Sequence, residues 1–109
     1  VLNQVAAGGR KIAVLGDMLE LGELSGEAHY QIGELVAKYG CAAVFAFGPE
    51  SKETARAAEN LGLLARHFLD KAALWTELNA FLIPGDTVLV KGSRGMRMEE
   101  IVEKMLAEK

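Results

Sequence analysis

Residues 87–100 read TVLVKGSRGMRMEE, the most informative stretch of this sequence. It predicts an apolar strand that ends in a basic turn flanked by glycines and then opens a helix. Backbone N–H groups and the positive end of a helix dipole converge in such a turn, and Lys91 and Arg94 add positive charge. The pattern predicts an anion site formed by Lys91, Gly92, Ser93 and Arg94. The alternative is an ordinary strand-to-helix connection whose cations are only solvated.

Upstream of this stretch, short apolar runs alternate with segments of helical periodicity. The predicted strands are residues 11–15, 42–47, 64–68 and 87–90. The helices between them are predicted to begin at Ser25 as N-cap, at Gly48-Pro49 and at Asp70 as N-cap. Tyr39 and Leu61 are predicted to face inward. A last helix follows the fourth strand, and its predicted inward-facing residues are Met98, Ile101, Val102, Met105 and Leu106. Connections of this length indicate parallel strands joined by right-handed crossovers, with helices on both faces.

The predicted fold class is α/β, a doubly wound three-layer α/β/α sandwich with a mostly parallel sheet. Its simplest strand order is 3-2-1-4, which leaves a crevice where the chain reverses direction beside the first strand. Asp17 and Met18 follow the first strand, and residues 91–94 follow the fourth. Topology therefore brings the basic turn and Asp17 to the same crevice. We expect Asp17 to hold a ribose hydroxyl, a ligand amine or Lys91.

The loop that carries Asp17, residues 16–24, is long and mixes acidic with large apolar side chains. It is expected either to cover a ligand or only to cover the end of the core. His29 lies one turn into the next helix, where local hydrogen bonding is a better expectation than metal binding, because no metal-ligand spacing accompanies it. No role is predicted for His67.

Composition narrows the class of protein. Half of the 109 residues are hydrophobic, a quarter are charged, and the net charge of −3 gives no general attraction to nucleic acid. No apolar run approaches the roughly 20 residues of a membrane span, so neither nucleic acid nor a membrane is an expected partner. The single cysteine, Cys41, excludes an internal disulfide and is consistent with a cytoplasmic protein. Residues 1–9 are expected to be the end of a helix and a linker that precede one domain at 10–109.

Several sequence motifs are absent. The chain has neither the Gly-x-Gly-x-x-Gly pattern nor the Gly-x-x-x-x-Gly-Lys-Ser/Thr pattern of nucleotide-binding loops, and it has no arrangement suited to acyl transfer by a Ser-His-acid triad. A receiver-type signalling module is an alternative, because it also has an acid after the first strand and a lysine after the last. The chain lacks that module's acceptor aspartate after a middle strand.

Residues 11–22, KIAVLGDMLELG, together with His29 and residues 90–100, VKGSRGMRMEE, resemble the C-terminal domain of the Mur ligase family. Within that family the resemblance is to the branch of UDP-N-acetylmuramoyl-tripeptide:D-alanyl-D-alanine ligases. The resemblance covers nearly the whole chain. It implies a Rossmann-like domain, preceded by an interdomain helix, in a cytoplasmic enzyme of peptidoglycan precursor synthesis whose other two domains bind the UDP-sugar and carry the ATP-binding loop.

For this chain the resemblance implies a binding role and no catalytic residue. ATP and Mg²⁺ are expected to bind mainly to the central domain, which also means that this fragment alone would be inactive. The expected partners are D-alanyl-D-alanine at this domain and UDP-N-acetylmuramoyl-tripeptide and ATP at the others. Arg94 is expected to bind the dipeptide carboxylate, with Ser93 as a further donor. Lys91 is expected at the same carboxylate or at a phosphate. The alternative is a non-catalytic module that binds a small anion or nucleotide.

Overall fold

The structure is a computed structural model that describes residues 9–19 and 21–107. Its strands are β1 (Lys11–Gly16), β2 (Ala43–Phe47), β3 (Leu64–Phe68) and β4 (Thr87–Lys91). Its α-helices are α1 (Ser25–Lys38), α2 (Lys52–Asn60), α3 (Lys71–Phe81) and α4 (Glu99–Ala107), with short 3₁₀ helices at Gly22–Leu24 and Arg94–Met96. The predicted helix end at residues 1–8 lies outside the described residues.

The strands form one parallel sheet in the order β3-β2-β1-β4, which confirms the predicted order. β1 pairs with β2 on one side and β4 on the other, so that Val14 lies between Phe45 and Val90. The carboxyl ends of β1 and β4 therefore meet at one edge of the sheet. β3 is the edge strand at the other end of the sheet from β4, which confirms the edge position that its polar sequence predicted.

Alternating side chains of β1 build both halves of the core. Ile12 and Val14 belong to the cluster formed with α3 and α4, whereas Ala13 and Leu15 belong to the cluster formed with α1 and α2. This alternation is the period of two that a strand imposes, and it confirms the three-layer sandwich. None of the helices in the described ranges has the length and apolar content needed to cross a membrane.

Several local predictions were wrong. Leu61 is 54% exposed, and Tyr39 and Leu106 are exposed to a similar extent, because they lie at the ends of their helices. Val102, also predicted to face inward, is 36% exposed. Ser25 is not an N-cap: it is the first residue of α1, and its hydroxyl donates to Glu50 instead. The second helix begins at Lys52 and not at Gly48-Pro49. By contrast, Asp70 caps α3 as predicted and accepts a hydrogen bond from the N–H of Ala72.

Candidate functional site

The predicted crevice lies where β1 and β4 end side by side. Gly16 and Gly92 allow this approach, since a Cβ atom on Gly92 would lie 3.1 Å from the Gly16 Cα and 2.9 Å from the Met98 Cγ. Beyond the glycines, Ser93 joins the two loops. Its N–H donates to the Asp17 carbonyl at 3.0 Å, and its Oγ accepts a hydrogen bond from the Leu19 N–H at 2.8 Å. The structure thus brings the loop after β1 and the basic turn together.

The basic turn presents two cations at the crevice. Lys91 is the last residue of β4, Arg94 opens the 3₁₀ helix that follows, and both side chains are exposed. Within residues 9–19 and 21–107, neither side chain forms an ion pair or a hydrogen bond. The N–H groups of Arg94 and Gly95 likewise find no acceptor among these residues. The turn therefore offers charge and backbone donors to an external anion.

The α-helix does not begin at this turn, which corrects the predicted contribution of its dipole. Arg97 adopts a left-handed conformation with φ of 53°, and α4 starts only at Glu99. The positive end of α4 is already matched by Glu99 and Glu100 in its first turn. Hydrogen bonding by Lys71, at 2.6 Å, lowers the pKa of Glu100. Attraction of an anion to the basic turn depends on its side chains and local N–H groups instead.

The carboxylate of Asp17 points away from the crevice. It is 1% exposed and accepts hydrogen bonds from the Ser51 N–H at 2.7 Å, the Ser51 Oγ at 2.6 Å and the Glu50 N–H at 3.1 Å. Gly48 makes room for it, because at its φ of 111° a Cβ would lie 2.5 Å from the carboxylate carbon. The carboxylate holds the turn that precedes α2, and Lys91 is not among its described hydrogen-bond partners. Only the Asp17 backbone carbonyl contributes to the crevice.

Met18 and His29 form the other wall. His29 is buried, its Nε2 accepts a hydrogen bond from the Met18 N–H at 2.9 Å, and its Nδ1 donates to the Ser25 carbonyl at 2.7 Å. The expected local hydrogen bonding of His29 is confirmed. In the described part of the chain, no group of three or more His, Cys, Asp or Glu side chains is arranged to hold a metal ion.

The basic turn separates two cavities. One of about 240 Å³ lies on the α1 side, where Met18, His29 and Ile32 line it together with Lys91 and Ser93. The other, of about 340 Å³, lies on the α4 side and is lined by Arg94 and Glu99 among others. Lys91, Gly92 and Ser93 contribute to both. A small anion bound at Ser93 can therefore extend an attached group to either side.

Sequence reasoning missed Glu50 and Ser51, and it named Ser25 only as a helix cap, although these three residues connect α1, the start of α2 and the loop after β1. Their partners are distant in sequence: Ser51 is 34 residues from Asp17, and Glu50 is 25 residues from Ser25. A Ser residue immediately before a helical segment is a signal for a helix start, and that signal at Ser51 could have placed the beginning of α2 correctly.

Three comparisons with known proteins all indicate the same family. Residues 1–94 match the family model "Mur ligase, glutamate ligase domain". The chain is 37% identical over 99 residues to UDP-N-acetylmuramoyl-tripeptide--D-alanyl-D-alanine ligase of Escherichia coli K12, an alignment that covers 89% of this chain and 21% of that enzyme. The chain thus spans about a fifth of the length of this curated relative.

Two solved structures resemble the fold. MurF ligase from Thermotoga maritima in complex with ADP aligns with a TM-score of 0.67 and 31% identity, over 87% of this chain and 21% of that one. MurF from Acinetobacter baumannii aligns with a TM-score of 0.80 and 28% identity, over 93% and 23% of the two chains.

Proposed function

The chain belongs to the Mur ligase family, and from this premise we propose that it is the C-terminal domain of a MurF-type, ATP-dependent amide ligase. The proposed enzyme joins D-alanyl-D-alanine to UDP-N-acetylmuramoyl-tripeptide in the cytoplasm, during synthesis of the peptidoglycan precursor. The names of the relatives support these substrates. The short span of the chain supports a contribution to a shared active site, with the UDP-sugar and the nucleotide bound mainly by other domains.

The observation that carries the proposal is the pair of cations beside Ser93, Lys91 and Arg94, for which the described residues provide no side-chain partner. A guanidinium such as that of Arg94 matches a carboxylate with two parallel hydrogen bonds, which suits the terminal carboxylate of the dipeptide. Because the Ser93 Oγ already accepts the Leu19 N–H, its own proton is available to donate to the same carboxylate. One charge-assisted hydrogen bond contributes about 1.5 to 3 kcal/mol, or roughly one to two decades in affinity.

ATP, when bound, supplies the phosphoryl group that activates the tripeptide carboxylate for attack by the dipeptide amine. The described residues suit only the edge of such a site, because they offer an anion-binding turn without a phosphate loop or a cluster of metal ligands. Mg²⁺ and most nucleotide contacts are therefore assigned to the central domain. Lys91 remains suited to the dipeptide carboxylate or to a phosphate oxygen. The role of this domain is to position the dipeptide and close over the nucleotide.

The direct test is Arg94→Ala in the complete ligase that contains this chain. We expect the KM for D-alanyl-D-alanine to rise about tenfold or more, with the KM for ATP unchanged, and Arg94→Lys to recover little. Arg66→Ala is the matched control, because its exposed guanidinium pairs with Glu77, away from the crevice. A rise in the KM for ATP alone would assign Arg94 to the nucleotide instead.

A second measurement tests the alternative of an autonomous binding module. The 109-residue chain is titrated with D-alanyl-D-alanine, ATP and phosphate while its amide resonances are followed by NMR. We expect weak or undetectable binding and no ATP turnover, because the site is shared with other domains. Tight binding of phosphate or nucleotide by this chain alone would favour the module.

A further inference from the structure

A closed ring of hydrogen bonds surrounds the loop after β1. The Met18 N–H donates to the His29 Nε2 at 2.9 Å, and the His29 Nδ1 donates to the Ser25 carbonyl at 2.7 Å. The Ser25 hydroxyl donates to the Glu50 carboxylate at 2.7 Å, and the Glu50 N–H donates to the Asp17 carboxylate at 3.1 Å. The covalent bond between Asp17 and Met18 closes the ring, which ties the crevice loop to the start of α1 and to the turn before α2.

The partners of His29 define one state of its ring. A carbonyl oxygen can only accept, so the proton resides on Nδ1, and the Met18 N–H can only donate, so Nε2 must be unprotonated. The ring is 1% exposed, and both of its nitrogens are used. The imidazole therefore connects α1 to the loop backbone as a neutral acceptor and has no nitrogen left for a ligand.

The loop that is held by His29 is also hydrogen-bonded to the basic turn. Met18 lies between Asp17, whose carbonyl accepts the Ser93 N–H, and Leu19, whose N–H donates to the Ser93 Oγ at 2.8 Å. We propose that His29 is a positioning residue that fixes the Ser93 hydroxyl through the backbone of Met18 and Leu19. The hydroxyl oxygen is held by Leu19, and its proton is thereby directed to the crevice. This inference rests on the proposed function of that crevice.

The ring of hydrogen bonds shows how a positioning role of His29 differs from a purely structural one. Asp17 remains anchored by its own carboxylate and by the Ser93 N–H when the His29 acceptor is lost. Only Met18 and Leu19 are then released, so the base of the loop keeps its place. We therefore expect loss of the acceptor to act on the Ser93 Oγ more than on global stability.

Two substitutions isolate the acceptor. In His29→Asn the amide nitrogen takes the place of Nδ1 and keeps the bond to Ser25, whereas in His29→Gln the amide oxygen reaches the position of Nε2 and accepts from Met18. In the 109-residue chain, hydrogen exchange at the Leu19 amide should be about tenfold faster in the Asn variant than in the Gln variant, which is 1.4 kcal/mol of local opening. Equal exchange rates in the two variants would overturn the proposal.

The same pair is then compared in the complete ligase. His29→Asn should raise the KM for D-alanyl-D-alanine about tenfold without changing kcat or the KM for ATP, while His29→Gln stays close to wild type. Combined with Ser93→Ala, His29→Asn should add no further increase, because both act on one hydroxyl. Additive effects in this double-mutant cycle would overturn the proposal.

Two further measurements separate failure of this proposal from misfolding of a variant and from failure of the proposed function. If the Asn variant does not fold, the ring ¹⁵N resonances of the wild-type chain still decide, because a proton on Nε2 would contradict the proposed geometry. A dipeptide KM that is insensitive to Arg94→Ala would refute the dipeptide-binding role proposed for Arg94. The Leu19 amide exchange would still report whether His29 acts on Ser93.

Discussion

The two ends of the β1–β4 strand pair use positive charge in opposite ways. At the amino end, Arg10 donates to both carboxylate oxygens of Asp86, at 2.9 and 2.6 Å, and also to the Phe81 carbonyl at 2.8 Å. At the carboxyl end, Lys91 and Arg94 have no side-chain partner in the described part of the chain. The amino-end cation is therefore paired within the protein, whereas the described residues provide no partner for the two carboxyl-end cations.

Burial and pKa describe the same difference. The Asp86 side chain is only 4% exposed, and hydrogen bonding to Arg10 lowers its pKa. The same pair raises the pKa of Arg10, whose guanidinium also lies 4.2 Å from the centre of the Phe81 ring. These contacts join the start of β1 to the loop before β4, so the pair stabilises the fold. Substitutions at the two ends should separate stability from binding.

The largest expected loss of stability comes from Asp17→Ala, below the crevice. The substitution leaves three donors of Glu50 and Ser51 without their acceptor, so we expect the free energy of unfolding to fall by about 2 to 4 kcal/mol. Urea denaturation measures it. Asp70→Ala is the matched control, since it removes one exposed N-cap bond at α3 and should cost about 1 kcal/mol. Equal losses would contradict a structural role for the buried carboxylate.

Gly92→Ala should have the next largest effect, because it pushes the two strand ends apart. The new methyl group meets Met98 and the Gly16 backbone, and overpacking of this kind costs about 1 to 3 kcal/mol. Gly26→Ala is the control: no atom lies within 4 Å of its Cβ position, and alanine favours the helix by about 1 kcal/mol. Urea midpoints of both variants give the comparison, and a neutral Gly92→Ala would show that the strand ends can separate freely.

Asp86→Asn tests the amino end and should lower the Tm by a few degrees at neutral pH. Because the folded-state pKa of Asp86 lies below its ordinary value near 3.8, its contribution is present above that value and is lost as pH falls through the lower folded pKa. The variant should therefore lose less stability than wild type between about pH 5 and pH 2. Thermal melts across this range measure it, and parallel curves would contradict the assignment.

The smallest effect on stability is expected at the carboxyl end itself. Lys91→Ala and Arg94→Ala should each change the free energy of unfolding by less than about 0.5 kcal/mol, because the described residues include no partner for either side chain. Both variants are measured by urea denaturation beside the kinetic assay of the complete ligase. A clear loss of stability in Arg94→Ala would mean that its side chain supports the fold.

The architecture could be predicted from sequence because β1, β2 and β4 are short apolar runs, β3 is a more polar run suited to an edge, and strands and α-helices alternate along the described residues. Those features determine a parallel sheet, and its order brings residues 11–16 beside residues 87–91. The location of Lys91, Ser93 and Arg94 at the crevice follows from this order. Their specific roles in binding D-alanyl-D-alanine stay predictions, as do those of Gly92, Asp17 and Met18.

The direction of individual side chains could not be predicted. Asp17 leaves β1 at the crevice, but its carboxylate turns to α2 because Gly48, in a left-handed conformation, leaves space there. Arg97 adopts a left-handed backbone conformation, so α4 starts only after it; because this residue is not a glycine, that conformation could not be predicted from the sequence. Periodicity assigned Tyr39 and Leu61 to buried faces, since it identifies an apolar stripe without showing how far the sheet extends beneath it.

The position of β4 at the side of the sheet has a dynamic consequence. Among the described residues, β4 is hydrogen-bonded to β1 alone, while β1 is held on both sides. Separating β4 breaks one ladder, so its amides should exchange with solvent sooner than those of β1. The strand that carries Lys91 into the basic turn is thus held less firmly than β1 beside it. Ligand capture there should appear as slowed amide exchange along Thr87–Lys91.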